Sequence, residues 1–117
     1  MKKTDSLGQL EQLTLTAAAL LGEDAYGVTI GEKIFELAGK KINRGALHVT
    51  LERLVDKGYL SSALGDPTPE RGGKPKRYYK LLTAGGLVLR DAANLSRNLA
   101  DVTDTWWSLF KPGRRKA

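Results

Sequence analysis

Apolar residues recur along the chain with two different periods, and the change of period predicts the elements. Between Leu7 and Leu21, the residues Leu10, Leu13, Ala17, Leu20 and Leu21 return every three or four positions, the spacing of one face of a helix. Asp5 or Ser6 stands where a cap is needed, and Gly22 where the helix stops. A second helix is predicted from Tyr26 to Ala38, with Ile30, Ile34 and Leu37 as its buried stripe and Gly39 as its end. The third has the clearest start. Asn43 is a good N-cap, and Ile42 and Leu47 flank it at the positions of a hydrophobic staple. Leu47, Leu51 and Leu54 then repeat at i, i+4 and i+7, and Gly58 closes the helix. Arg44, His48 and Arg53 are left off that buried face.

After Gly58 the period shortens. Tyr59 to Leu64 and Lys76 to Leu82 are predicted as two short strands, separated by residues 65–75, which are too rich in Gly and Pro for regular structure. Together they make a hairpin with a long tip that carries Arg71 and Lys74. Thr83 then caps a helix that reaches about Phe110, before Lys111, Pro112 and Gly113. Val88, Ala92, Leu95, Leu99, Val102, Trp106 and Leu109 alternate at steps of four and three, an a/d seam of three heptads. At about 1.5 Å per residue this helix is roughly 40 Å long, more than so small a domain covers by itself. The seam therefore calls for a second copy of the chain, or for packing back on the first helix. The organisation expected is a domain over residues 1–82, a dimerisation helix over 83–110 and a disordered basic tail over 111–117. The fold class is mostly α with a small β-hairpin.

Charge sharpens this picture. The 117 residues carry a net charge of +6, and the excess lies entirely between Lys40 and Lys80, where ten basic residues face four acidic ones. A basic segment on a neutral background suits a polyanion. There is no cysteine and a single histidine, so a disulfide framework and a thiolate or zinc site are excluded. No base stands ready for a nucleophile, and no Gly-rich phosphate loop follows a strand, since Gly72 and Gly73 lie inside the hairpin. No enzyme and no cofactor are expected. The longest apolar run, Ala17 to Leu21, is far too short to span a bilayer. Thr4, Asp5 and Ser6 follow the charged start where a signal peptide needs an apolar core. The expected location is the cytoplasm.

Three helices followed by a hairpin make the winged form of the helix-turn-helix, in which the third helix enters the major groove and the wing follows the backbone or minor groove. Four runs then carry a resemblance: Asp24-Ala25-Tyr26-Gly27-Val28, the stretch from Gly45 to Leu54, Lys57-Gly58-Tyr59-Leu60, and Arg77-Tyr78-Tyr79-Lys80-Leu81-Leu82-Thr83-Ala84-Gly85. In order and spacing they resemble the PadR family of bacterial transcriptional regulators, over roughly Leu7 to Leu89. The single C-terminal helix is similar to that of the smaller members. The resemblance implies a homodimer on a near-palindromic operator, usually a repressor, often released by a small molecule. Where the family usually has Tyr after the Leu of the third helix, this chain has His48.

Double-stranded DNA is thus the expected partner. Arg44 and His48 on the third helix are the first candidates for contact, with Gly45, Thr50 and Arg53 beside them and Arg71, Lys74, Lys76 and Arg77 on the wing. Of Tyr78 and Tyr79, one is expected in the core and the other near a phosphate. Trp106 and Trp107 admit two roles: interface core, or the wall of a site for a flat aromatic or hydrophobic effector. A winged helix used for protein–protein contact, and a ligand-binding dimer of weak DNA affinity, are the competing readings. The clustered cations favour DNA.

Overall fold

The structure, a computed structural model, describes residues 7–65 and 75–110. Its first helix, α1 (Gln9–Leu21), opens on Gly8, whose backbone N–H donates to Glu11 Oε1 at 2.9 Å. It begins two residues later than the pattern predicts, and the expected caps Asp5 and Ser6 lie outside the described residues. Its buried face also differs from the predicted stripe. Glu11, Thr14, Leu15, Ala17 and Ala18 point inward, while Leu20 is 61% exposed. Polar residues are tolerated inside because each is satisfied. The Thr14 hydroxyl donates to the Leu10 carbonyl at 2.7 Å, and Glu11 meets Lys57 at 3.3 Å. A stripe read from apolar letters alone passes over such positions.

A short 3-10 turn (Gly22–Asp24) leads into α2 (Gly27–Ala38). Tyr26 stands at its N-cap and donates its N–H to Thr29 Oγ1, whose own hydroxyl reaches the Asp24 carbonyl. Ile30 and Ile34 are fully buried as expected, but Leu37 is exposed. Gly39 ends the helix in the left-handed region at φ 69°, which its lack of a Cβ makes inexpensive. Next comes α3 (Arg44–Asp56), capped as predicted: the Asn43 side chain accepts the Ala46 N–H at 3.0 Å. Its far end is a Schellman turn. The N–H groups of Gly58 and Tyr59 reach the carbonyls of Val55 and Leu54, with Gly58 at φ 82°.

The wing is the antiparallel pair β1 (Leu60–Leu64) and β2 (Arg77–Leu81), in register from Leu60 opposite Leu81 to Leu64 opposite Arg77. Two further bonds sew it to the helices: the Tyr79 N–H donates to the Ala25 carbonyl and the Leu82 N–H to that of Tyr59. Leu15, Ile30, Ile34, Leu54 and Leu60 are fully buried where the three helices and the wing meet. Each contributes about 1.5–3 kcal/mol relative to exposure.

The last helix, α4 (Thr83–Phe110), takes Thr83 as its first residue rather than its cap. Gly85 is buried so closely that a Cβ there would lie 2.3 Å from the Tyr59 carbonyl oxygen. Val88 and Leu89 pack on the core, and Ala92 is half-buried. From Asn94 to Phe110 every residue is exposed. No helix among the described residues is long and apolar enough to cross a membrane.

Candidate nucleic-acid interface

Burial of Leu47, Thr50, Leu51 and Leu54 fixes which side of α3 faces out. Arg44, Gly45, His48 and Arg53 are all exposed, so four of the five candidates on this helix are accessible. Thr50 is not. It is 5% exposed, and its hydroxyl donates to the Ala46 carbonyl at 2.8 Å. Thr50, also expected at this surface, is turned into the core instead: a hydroxyl satisfied within the helix lets a Thr occupy an inner position.

Two outward residues have neighbours that the sequence did not disclose. His48 Nε2 lies 3.1 Å from Glu52 Oε2, one turn along the helix. At Gly45, a Cβ would come within 3.1 Å of Asn43 Oδ1, the atom that caps the helix. Glycine thus keeps the cap uncrowded, an internal reason for its presence. Val49, exposed and absent from the expected set, also stands on the outer face.

On the wing, Lys76 and Arg77 are described, whereas Arg71 and Lys74 of the tip lie outside the described residues. Lys76 Nζ sits 4.2 Å from the centre of the Tyr26 ring, a cation–π contact, and Arg77 donates to Ser62 Oγ at 3.1 Å. Tyr26 also meets Tyr78 edge to face, with ring centres 5.4 Å apart. These contacts join the start of α2 to the base of the wing, at Lys76 and Tyr78. Tyr79 is the core member of the tyrosine pair and Tyr78 the half-buried one. Burial pushes the Tyr79 phenol above its ordinary range; Arg77 opposes this and Glu52 adds to it.

The seam residues divide. Val88 and Ala92 are at least half covered by their own chain, while Leu95, Leu99, Val102, Trp106 and Leu109 are open. Trp106 stacks on Phe110 with ring centres 4.6 Å apart and touches Trp107. A cavity of about 370 Å³ lies between α1 and α4, lined by Gln12, Leu13, Thr16 and Ser96 among others, and includes neither tryptophan. Among the described residues, no three His, Cys, Asp or Glu side chains gather closely enough to hold a metal ion.

Comparison with known proteins gives this geometry a context. The model of the transcriptional regulator PadR-like family matches residues 18–91. Among solved structures, a PadR family transcription regulator from Clostridium difficile superposes with a TM-score of 0.71 at 18% identity, covering 85% of this chain and 98% of that one. A PadR-like transcription factor from Bacteroides fragilis gives 0.67 at 27% identity, over 84% and 89% of the two chains. A PadR family transcriptional regulator from Eggerthella lenta gives 0.65 at 26%, over 80% and 79%. No curated protein matches the chain.

Proposed function

The chain belongs to the PadR-like family of transcriptional regulators, and from that premise we propose that it is a repressor which binds a near-palindromic operator as a homodimer and is released by a small molecule. DNA-binding regulation of transcription follows from the family and the winged-helix fold. The finer reading rests on one observation above others. Arg44 and His48 of α3 are exposed, and the wing hydrogen-bonded to the same core carries Lys76 and Arg77.

In this reading residues 1–82 form the DNA-binding domain and 83–110 the dimerisation helix. Arg44, Gly45, His48 and Arg53 approach base edges and neighbouring phosphates, and Arg71, Lys74, Lys76 and Arg77 serve the backbone or minor groove. The seam from Leu95 to Leu109 supports the homodimer, since it is an apolar stripe with no cover from its own chain. The open aromatic group of Trp106, Trp107 and Phe110 supports a flat hydrophobic or aromatic effector at the same interface.

Footprinting on the promoter upstream of the protein's own gene tests the reading. The expected result is one protected, near-symmetric site, with affinity that falls steeply as salt rises. Equal binding to that promoter and to a scrambled duplex would contradict it. No salt-dependent retention on heparin would instead favour a protein–protein module.

A further inference from the structure

The outward centre of α3 is not occupied by its basic residues. At roughly 100° per residue, Gly45, Val49, Glu52 and Asp56 line up opposite Leu47, Thr50, Leu51 and Leu54, the buried set. Arg44 and His48 lie to one side of that line and Arg53 to the other. The helix is also electrically balanced, with Arg44 and Arg53 against Glu52 and Asp56. The unbalanced cations of this region stand elsewhere, at Lys40, Lys41 and on the wing, Lys57 being paired with Glu11. A carboxylate at the middle of a surface that must approach a polyanion is unfavourable against phosphate. It becomes favourable only against a hydrogen-bond donor.

Base edges supply such a donor. In the major groove the cytosine N4 amino group is the natural partner of a carboxylate, and the thymine methyl that of an apolar side chain. Glu52 is exposed, and its Oε2 lies 3.1 Å from His48 Nε2. In water that contact is weak; with the imidazole donating, it would orient the carboxylate once the groove excludes solvent. Val49, 52% exposed, stands beside it with an unpartnered isopropyl group. Gly45, one turn before Val49, adds no side chain to obstruct a close approach.

Building on the sequence-reading role proposed for α3, we propose that Glu52 is a specificity-determining residue that accepts a hydrogen bond from a cytosine amino group, with His48 as its positioning residue and Val49 in contact with a neighbouring thymine methyl. The carboxylate also rejects non-cognate DNA, because without the amino group it is left unpaired against acceptor edges and phosphates.

The test is selection from a library of random duplexes with the full-length protein and with Glu52→Gln, Glu52→Ala, His48→Ala and Arg44→Ala. All three sites are exposed, so folding is preserved and is checked by thermal melting. The wild type should enrich a cytosine at one position of each half-site. Glu52→Gln should exchange that cytosine for adenine, since an amide pairs with the adenine N6 and N7 atoms. Glu52→Ala should lose roughly 10- to 100-fold of discrimination there, with random-duplex affinity unchanged or raised. His48→Ala should weaken the same preference and no other. The inference is overturned if Glu52→Gln and Glu52→Ala enrich the wild-type sequence while Arg44→Ala changes it. If the wild type enriches no sequence at all, the sequence-reading role of α3 falls, and this inference with it.

Discussion

Gly85 and Gly86 stand side by side at the start of α4 and answer an added Cβ in opposite ways. At Gly85 the Cβ would lie 2.3 Å from the Tyr59 carbonyl oxygen, a backbone atom that cannot swing aside; at Gly86 it would meet only Leu81 Cδ2 at 3.8 Å. Gly86→Ala should therefore stabilise the protein by about 0.5–1 kcal/mol, the usual helix benefit. Gly85→Ala should destabilise it by about 1–3 kcal/mol. Equilibrium unfolding of the two variants checks both signs. Tyr79 supplies a pH prediction. Burial raises its phenol, so as pH climbs past about 10 the unfolded chain gives up its proton first and stability falls until the folded phenol titrates as well. Below that pH Tyr79 contributes no slope. Tyr79→Phe should flatten the alkaline loss, measured by denaturation between about pH 9 and 11. An unaltered slope would place the loss in other groups. At this scale the sequence was least legible. Thr50, Glu11 and Gly85 are all interior, yet two are polar and one has no side chain, so apolar periodicity gave no sign of them. Their burial depends on partners distant in sequence or on one internal hydrogen bond.

Elements were far more legible, because their limits are set by local chemistry. Asn43 caps α3, Gly39 and Gly58 take positive φ, and the strands fall within a residue of their predicted ends. Where the prediction slipped, as with the cap of α1 or the outward turn of Leu20 and Leu37, the cause is packing that periodicity cannot rank. For α4 the seam was legible, but its division was not. Val88 belongs to the core of its own chain, and the open stripe begins at Leu95. In the proposed dimer, Leu95→Glu with Leu99→Glu places unpaired charge in the interface, at several kcal/mol each when buried. Sedimentation equilibrium at micromolar concentration should find this double variant monomeric, with its winged-helix portion still folded. Dimers that persist would move the interface off α4. The aromatic cluster gives a second measurement on the same helix. Indole fluorescence should be quenched by flat aromatic compounds that also lower DNA affinity. Structural tryptophans alone would show neither effect.

At the scale of the whole molecule, the radius of gyration of 18.0 Å exceeds the roughly 13 Å of a compact chain this long, as expected when a long helix projects from a small domain. That shape suits two DNA-binding heads joined through their last helices. The two third helices should then meet one face of the duplex about 10 bp apart, or a multiple of it. The charge excess found between Lys40 and Lys80 lies outside α3, which is neutral overall; in the proposed reading the wing meets phosphate and the helix meets bases. This division is the central claim, and it predicts that the two parts fail differently. The direct measurement is titration of Arg44→Ala and Lys76→Ala on a selected operator and on scrambled DNA, each at two salt concentrations. Arg44→Ala should cost about 1–3 kcal/mol on the operator and little on scrambled DNA. Lys76→Ala should weaken both alike and lower the salt slope by about 0.9 per lost phosphate contact, doubled in a symmetric dimer. If both variants lose the same affinity on both DNAs, the third helix does not read sequence and the division of roles is wrong.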